Sequence, residues 1–120
     1  MIKYRLASSL FLALSFSTTV HSALDRIIDF ALLDEVGVFH QLSRYQHKEA
    51  VVLMAFDQSC QLMPSMLAEY RDIVSEFSNH EVEFLLIDSN GLGRKKLASL
   101  ELNVSILEDG GQLVSESLGI

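Results

Sequence analysis

The chain has 120 residues, 49% of them hydrophobic, which suffices for one domain around one core. Nine basic residues against sixteen acidic ones give a net charge of −7, which argues against nucleic acid or an anionic membrane surface as partner, since both select basic patches. A single cysteine, Cys60, excludes an intramolecular disulfide.

Residues 1–22 carry the three parts of a secretory signal. Lys3 and Arg5 form a basic start, and Leu6 to Phe16 is apolar apart from Ser8, Ser9 and Ser15. Val20-His21-Ser22-Ala23 is the exit. A cut after Ser22 sets Val20 and Ser22 in the small −3 and −1 pockets of a signal peptidase, whereas a cut after Ala23 sets the larger His21 at −3. The apolar run is short and serine-rich for a bilayer span, which needs roughly 20 apolar residues. The expected product is therefore a secreted or periplasmic domain, residues 23–120, free of the membrane once the signal is removed. Lys3 and Arg5 leave with the signal and every acidic residue remains, so the product carries −9.

Beyond the signal the elements alternate in type. Ile27 to Leu33 reads as an extended segment, and Asp34-Glu35-Val36-Gly37 as a turn with glycine at the positive-φ position. Val38, Phe39 and Leu42 resume the apolar pattern, so a hairpin is expected, followed by a solvated stretch from Arg44 to Glu49. Ala50 to Phe56 is a continuous apolar run, the mark of a strand buried on both faces. From Gln61 to Phe77 the spacing turns helical, with Leu62, Met66, Tyr70, Ile73 and Phe77 as the predicted core stripe and Pro64 in the tolerant first turn. Val82 to Ile87 is a second strand, Asn90-Gly91-Leu92-Gly93 a loop, and Arg94 to Leu100 a short basic helix. Val104 to Leu107 is a third strand, Asp109-Gly110-Gly111 a turn, and Gln112 to Leu118 a closing helix with Gly119 as its stop. Strands alternating with helices imply βαβ crossovers and a largely parallel sheet, hence an α/β fold.

Cys60 falls where the first buried strand hands over to the first long helix. The opening N–H groups of a helix lack intrahelical acceptors and its dipole favours negative charge, so a thiolate is stabilised there. The C-terminal edge of the strands in an open α/β sheet is also where ligands bind. Free cysteines are equally among the most buried residue types. Two readings stand: a reactive thiol, or a structural one packed under the helix.

The segment Asp29-Phe30-Ala31-Leu32-Leu33-Asp34-Glu35-Val36-Gly37 and the strand Val51 to Phe56 with its following cysteine and helix resemble the redoxin (thiol-specific antioxidant, peroxiredoxin-like) branch of the thioredoxin superfamily. Val82 to Asp88, Ile106 to Asp109 and Gln112 to Ile120 resemble its later elements. The resemblance implies a thioredoxin-like fold: an N-terminal β-hairpin, then βαβαβα around a central mixed sheet, incomplete at the C-terminus. It places Cys60 on the family's nucleophilic cysteine. The second cysteine of two-cysteine members would fall at Met63, and the peroxiredoxin threonine at Asp57, whose charge opposes a thiolate. The family continues past the final Leu-Gly-Ile with a cis-proline loop, two strands and a helix, so a truncated or split frame is expected, or a further polypeptide that completes the sheet.

Cys60, Met63 and Met66 recur at three residues and offer soft sulfur to Cu(I), but Met66 also fits the core stripe, and no metal or cofactor is expected. His40, His47 and His80 are scattered and are expected to be solvated. The expectation is an exported thiol oxidoreductase, with Cys60 attacking in thiol–disulfide exchange or peroxide reduction and an external thiol or disulfide reductant as partner. The alternative is a non-catalytic thioredoxin-fold module in which Cys60 is structural.

Overall fold

The computed structural model describes residues 27–120; the expected signal, residues 1–22, lies outside them. Two strands open the fold, β1 (Ala31–Leu33) and β2 (Phe39–Gln41), paired antiparallel with Leu32 opposite His40. The hairpin is as expected, but its first strand is shorter, and Ile27 and Ile28 are exposed. Gly37 takes φ +87° in the connecting turn, where a side chain would be strained. The Asp34 carboxylate closes that turn by accepting the N–H groups of Val36 (3.0 Å) and Val38 (2.7 Å). A single turn of 3₁₀ helix, Leu42–Tyr45, follows.

The main sheet has three parallel strands in the order β3 (Ala50–Phe56), β4 (Val82–Asp88), β5 (Ile106–Glu108). Helices α1 (Met63–Glu76) and α2 (Arg94–Ala98) make the two crossovers, and α3 (Leu113–Leu118) ends the described chain with Gly119 at φ +70°. One antiparallel bridge, Asp34 to Leu107, ties the hairpin to β5, so the whole arrangement is mixed as expected. Each helix is shorter than the sequence pattern by one to three residues, as frayed ends usually are.

Side chains alternate across the sheet and fill two cores. Phe56, Leu86 and Ile106 pack with Met63, Tyr70 and Leu97 beneath α1 and α2. Leu85, Ile87 and Leu107 pack with Phe30 and Val114 beneath the hairpin and α3. Leu85, Leu86 and Ile87 are sealed, each contributing about 1.5–3 kcal/mol of burial.

Three expectations are corrected. β3 is the outer strand of the triple, and most of its residues are half-buried, because β4 covers one of its edges only. The stripe predicted for the long helix is largely its exposed one: of its five residues only Tyr70 is buried, while Leu62 is 66%, Met66 39%, Ile73 44% and Phe77 39% exposed. The face on the sheet is instead Met63, Leu67, Tyr70 and Val74. His40 is not solvated. The hairpin register folds it inward, where Nε2 meets Asp34 at 2.9 Å and Nδ1 meets the Tyr45 hydroxyl.

Candidate functional site at the β3–α1 turn

Phe56 ends β3 inside the core, and the chain then makes two tight turns before the helix. The Cys60 N–H donates to the Asp57 carbonyl (3.0 Å), and the Met63 N–H to the Cys60 carbonyl (3.0 Å). The Asp57 carboxylate holds the first turn by accepting the Ser59 hydroxyl (2.6 Å) and N–H (2.8 Å). Those bonds, the hydroxyl first, keep the Asp57 carboxyl below the usual aspartate range. Cys60 is thereby placed at the C-terminal edge of the sheet, three residues before α1, half-buried against the core beneath that helix.

A cleft of about 580 Å³ opens beside it. Phe56, Met63, Leu67, Leu100 and Leu102 make an apolar wall, with Gln58, Ser59 and Gln61 at the mouth. Pro64, Leu67 and Arg71 follow Cys60 at four, seven and eleven residues, so one flank of α1 carries all of them into the cleft. From Met63 to Arg71 the helix rises about 12 Å, which puts Arg71 at the far end from the sulfur. Arg71 was not singled out in the sequence; its helical offset from Cys60 is the signal that marks it.

The sulfur lies neither in mid-helix nor under sealed hydrocarbon. The amide support expected for it is thin. The Met63 N–H is spent on the Cys60 carbonyl, Pro64 has no N–H, and among the described residues no hydrogen bond ends on Sγ. Met63 is buried where Met66 is exposed, so the helix divides the sulfurs of the three-residue spacing between core and outer flank. Among the described residues no group of three or more histidine, cysteine or acidic side chains could hold a metal.

Two further carboxylates order the same edge of the sheet. Asp88, fully buried at the end of β4, accepts the N–H groups of Asn90 (3.2 Å) and Leu92 (3.0 Å). Asp109 accepts the Ser115 N–H (2.8 Å) and hydroxyl (2.7 Å) at the start of α3. Both shape loops, and every oxygen of the two carboxylates accepts at least one hydrogen bond.

A parallel βαβ sheet with a cysteine in the turn between strand and helix defines a thioredoxin-like α/β protein. The profile of the AhpC/TSA family matches residues 23–120, and the chain belongs to that family. Solved structures agree on the fold. The chain is 22% identical to peroxidoxin BcpB from Mycobacterium tuberculosis, covering 78% of this chain and 63% of that one, with a TM-score of 0.65. A thiol-disulfide oxidoreductase from Bacteroides fragilis matches at 19% identity, 78% and 72% coverage and TM-score 0.62. A peroxiredoxin Q variant from Xanthomonas campestris matches at 12% identity, 76% and 59% coverage and TM-score 0.62. The chain thus spans less than two thirds of the Mycobacterium and Xanthomonas structures. A comparison with curated proteins returns no match.

Proposed function

We propose that the protein is an exported thiol oxidoreductase in which Cys60 is the attacking group of thiol–disulfide exchange. The observation that carries this is the half-buried thiol in the wall of an apolar cleft, at the strand edge where α/β proteins take their ligands. In the first step the Cys60 thiolate attacks one sulfur of a substrate disulfide. An S–S bond to Cys60 forms, the substrate S–S bond breaks, and the second substrate sulfur leaves as a thiolate. Met63, buried at the position of a second cysteine, supplies no thiol. An external thiolate therefore attacks the mixed disulfide, taking the substrate sulfur with it and releasing Cys60 as thiolate. The apolar wall suits the hydrocarbon beside a protein disulfide, and Arg71 suits an acidic group carried further along the same substrate.

Exchange is favoured over peroxide reduction. An ionised Asp57 stands in the cysteine's own turn, where the like charge opposes both the thiolate and the alkoxide that a peroxide expels. The family's other chemistry, oxidation of Cys60 to a sulfenic acid by peroxide and its reduction by two external thiols, is the second outcome to test.

The thin amide support of Sγ favours one competing reading, a structural cysteine in a binding module. Alkylation by iodoacetamide across about pH 5–9, with Cys60→Ser as blank, separates the two. Labelling at neutral pH faster than that of a free thiol, together with a trapped mixed disulfide from a model disulfide, supports exchange. Labelling slower than a free thiol at every pH removes it. Peroxide consumption that vanishes in Cys60→Ser would move the assignment to peroxidase.

A further inference from the structure

The buried histidine of the hairpin belongs to a chain of three titratable groups that the thiol chemistry leaves unused. The Asp34 carboxylate is buried, and its Oδ1 accepts the N–H groups of Val36 and Val38. Its Oδ2 lies 2.9 Å from His40 Nε2. Burial opposes ionisation, but the bonds from His40, Val38 and Val36 outweigh it and hold the carboxyl below its ordinary range. An ionised carboxylate only accepts, so the neutral imidazole carries its proton on Nε2 and leaves Nδ1 bare. Nδ1 in turn meets the Tyr45 hydroxyl, and the two ring planes are inclined by 24°. Tyr45 is therefore the donor of that bond.

Tyr45 does not ionise by itself. Burial raises its phenol above the ordinary 10.0, and Glu83 adds to the rise while Arg44 opposes it. The proton stays on the oxygen at rest. Loss of an electron from the ring changes that, because an oxidised phenol is a strong acid and its proton already points at a base.

We infer that Tyr45 is a proton-coupled one-electron donor, giving its electron to a diffusible radical of the peroxyl class and its phenolic proton to His40 Nδ1. The O–H bond of Tyr45 breaks and an N–H bond forms on Nδ1. The peroxyl radical becomes a peroxide anion, and Tyr45 becomes a neutral tyrosyl radical. Asp34 is a positioning residue, which fixes the tautomer and offsets the charge of the imidazolium that forms. An external thiolate returns the electron, leaving as a thiyl radical, and Nδ1 gives the proton back. Electrons tunnel through protein, so the oxidant needs no open surface at Tyr45. Tyr70 lacks the device: its hydroxyl donates to the carbonyls of Leu85 and Val52, which are no base for a phenolic proton. No step involves Cys60, and loss of the thiol chemistry would leave this one intact.

Flash photolysis tests it, with photo-oxidised ruthenium tris-bipyridine as the oxidant at neutral pH and the tyrosyl absorption as the readout. The chain has three tyrosines and no tryptophan, and Tyr4→Phe leaves Tyr45 and Tyr70 as its phenols. In that background radical formation should slow about a hundredfold after Tyr45→Phe and keep its rate after Tyr70→Phe. His40→Gln, which keeps two hydrogen-bonding ends but no base, should be as slow as Tyr45→Phe. In Asp34→Asn the amide oxygen stays with the two N–H groups, so the NH2 faces His40 and shifts its proton to Nδ1. Oxidation should slow likewise, whereas a merely structural Asp34 would leave the rate of the folded variant unchanged. Heavy water should slow the parent, because the O–H bond breaks with electron loss. A radical on Tyr70, or a folded His40→Gln or Asp34→Asn variant oxidised as fast as its parent, would overturn the inference. So would a parent rate indifferent to heavy water, a result that needs no altered hairpin to fold.

Discussion

The Asp57 carboxylate, held ionised by the Ser59 hydroxyl and N–H, lies in the same turn as the Cys60 thiol. Asp57→Asn keeps the turn's shape and removes that charge, so alkylation of Cys60 at neutral pH should rise about two- to fivefold, read as an iodoacetamide rate at low salt. No change would mean that Asp57 does not act on the sulfur. Asp34 is the second residue with a pH signature. Burial alone would raise its carboxyl, but the bonds from His40, Val38 and Val36 outweigh it and hold the group below the ordinary 3.8. A carboxyl depressed by folding stabilises fully above that ordinary value, and its contribution is lost as pH falls through the lower folded one. Asp34→Asn should therefore cost about 1–3 kcal/mol at neutral pH and little in strong acid, measured by urea unfolding at both pH values. Nothing in the residue types singles out His40 from His47 and His80. Its burial follows from the strand register, which sequence spacing does not contain.

At the scale of elements, α1 is joined to the sheet by its aromatic centre. Tyr70 packs edge-on against Phe84 at 5.7 Å and bonds two strand carbonyls through its hydroxyl. Burial pushes its phenol from 10.0 up to about 12. A phenol raised by folding stabilises fully below the unfolded value, and that contribution is lost as pH climbs from 10 toward 12. Tyr70→Phe should cost about 1 kcal/mol at neutral pH and flatten the alkaline loss of stability, seen by circular dichroism melts across that window. Wild-type stability equally flat above pH 10 would count against a buried phenol. The helix was legible from Leu62 to Phe77 as a period of three and four, but its inward face was not. Its apolar residues cover more than a third of its circumference, and period alone cannot say which part of so wide an arc meets the sheet. Among the described residues β3 is the outermost strand, and the part of the arc beyond it is exposed.

For the whole molecule, the N-terminal segment predicts a processing event. Expressed in a bacterial host with its own export machinery, the chain should be recovered as a product beginning at Ala23, identified by intact mass. Full-length chain held in the membrane fraction would contradict that. Among the described residues no helix is long and apolar enough to cross a membrane, so any retention would have to come from outside them. The family match covers residues 23–120, yet the chain spans well under the whole of the redoxin structures it resembles.

Local order in this protein was decided by the sequence alone. Runs such as Ala50 to Phe56 and Val82 to Ile87 read as strands by their length and their β-branched and aromatic content, the turn at Gly37 takes a positive φ, and the strand–cysteine–helix succession points to a redoxin. These are matters of period and backbone preference, carried by neighbouring residues. Which face is covered is a long-range matter. The pairing of β1 with β2 buried His40, the order β3-β4-β5 left an apolar strand outermost, and the crossover of α1 turned Cys60 to a cleft and Met66 to solvent. Burial belongs to contacts between distant segments, and only the assembled tertiary structure distributes it.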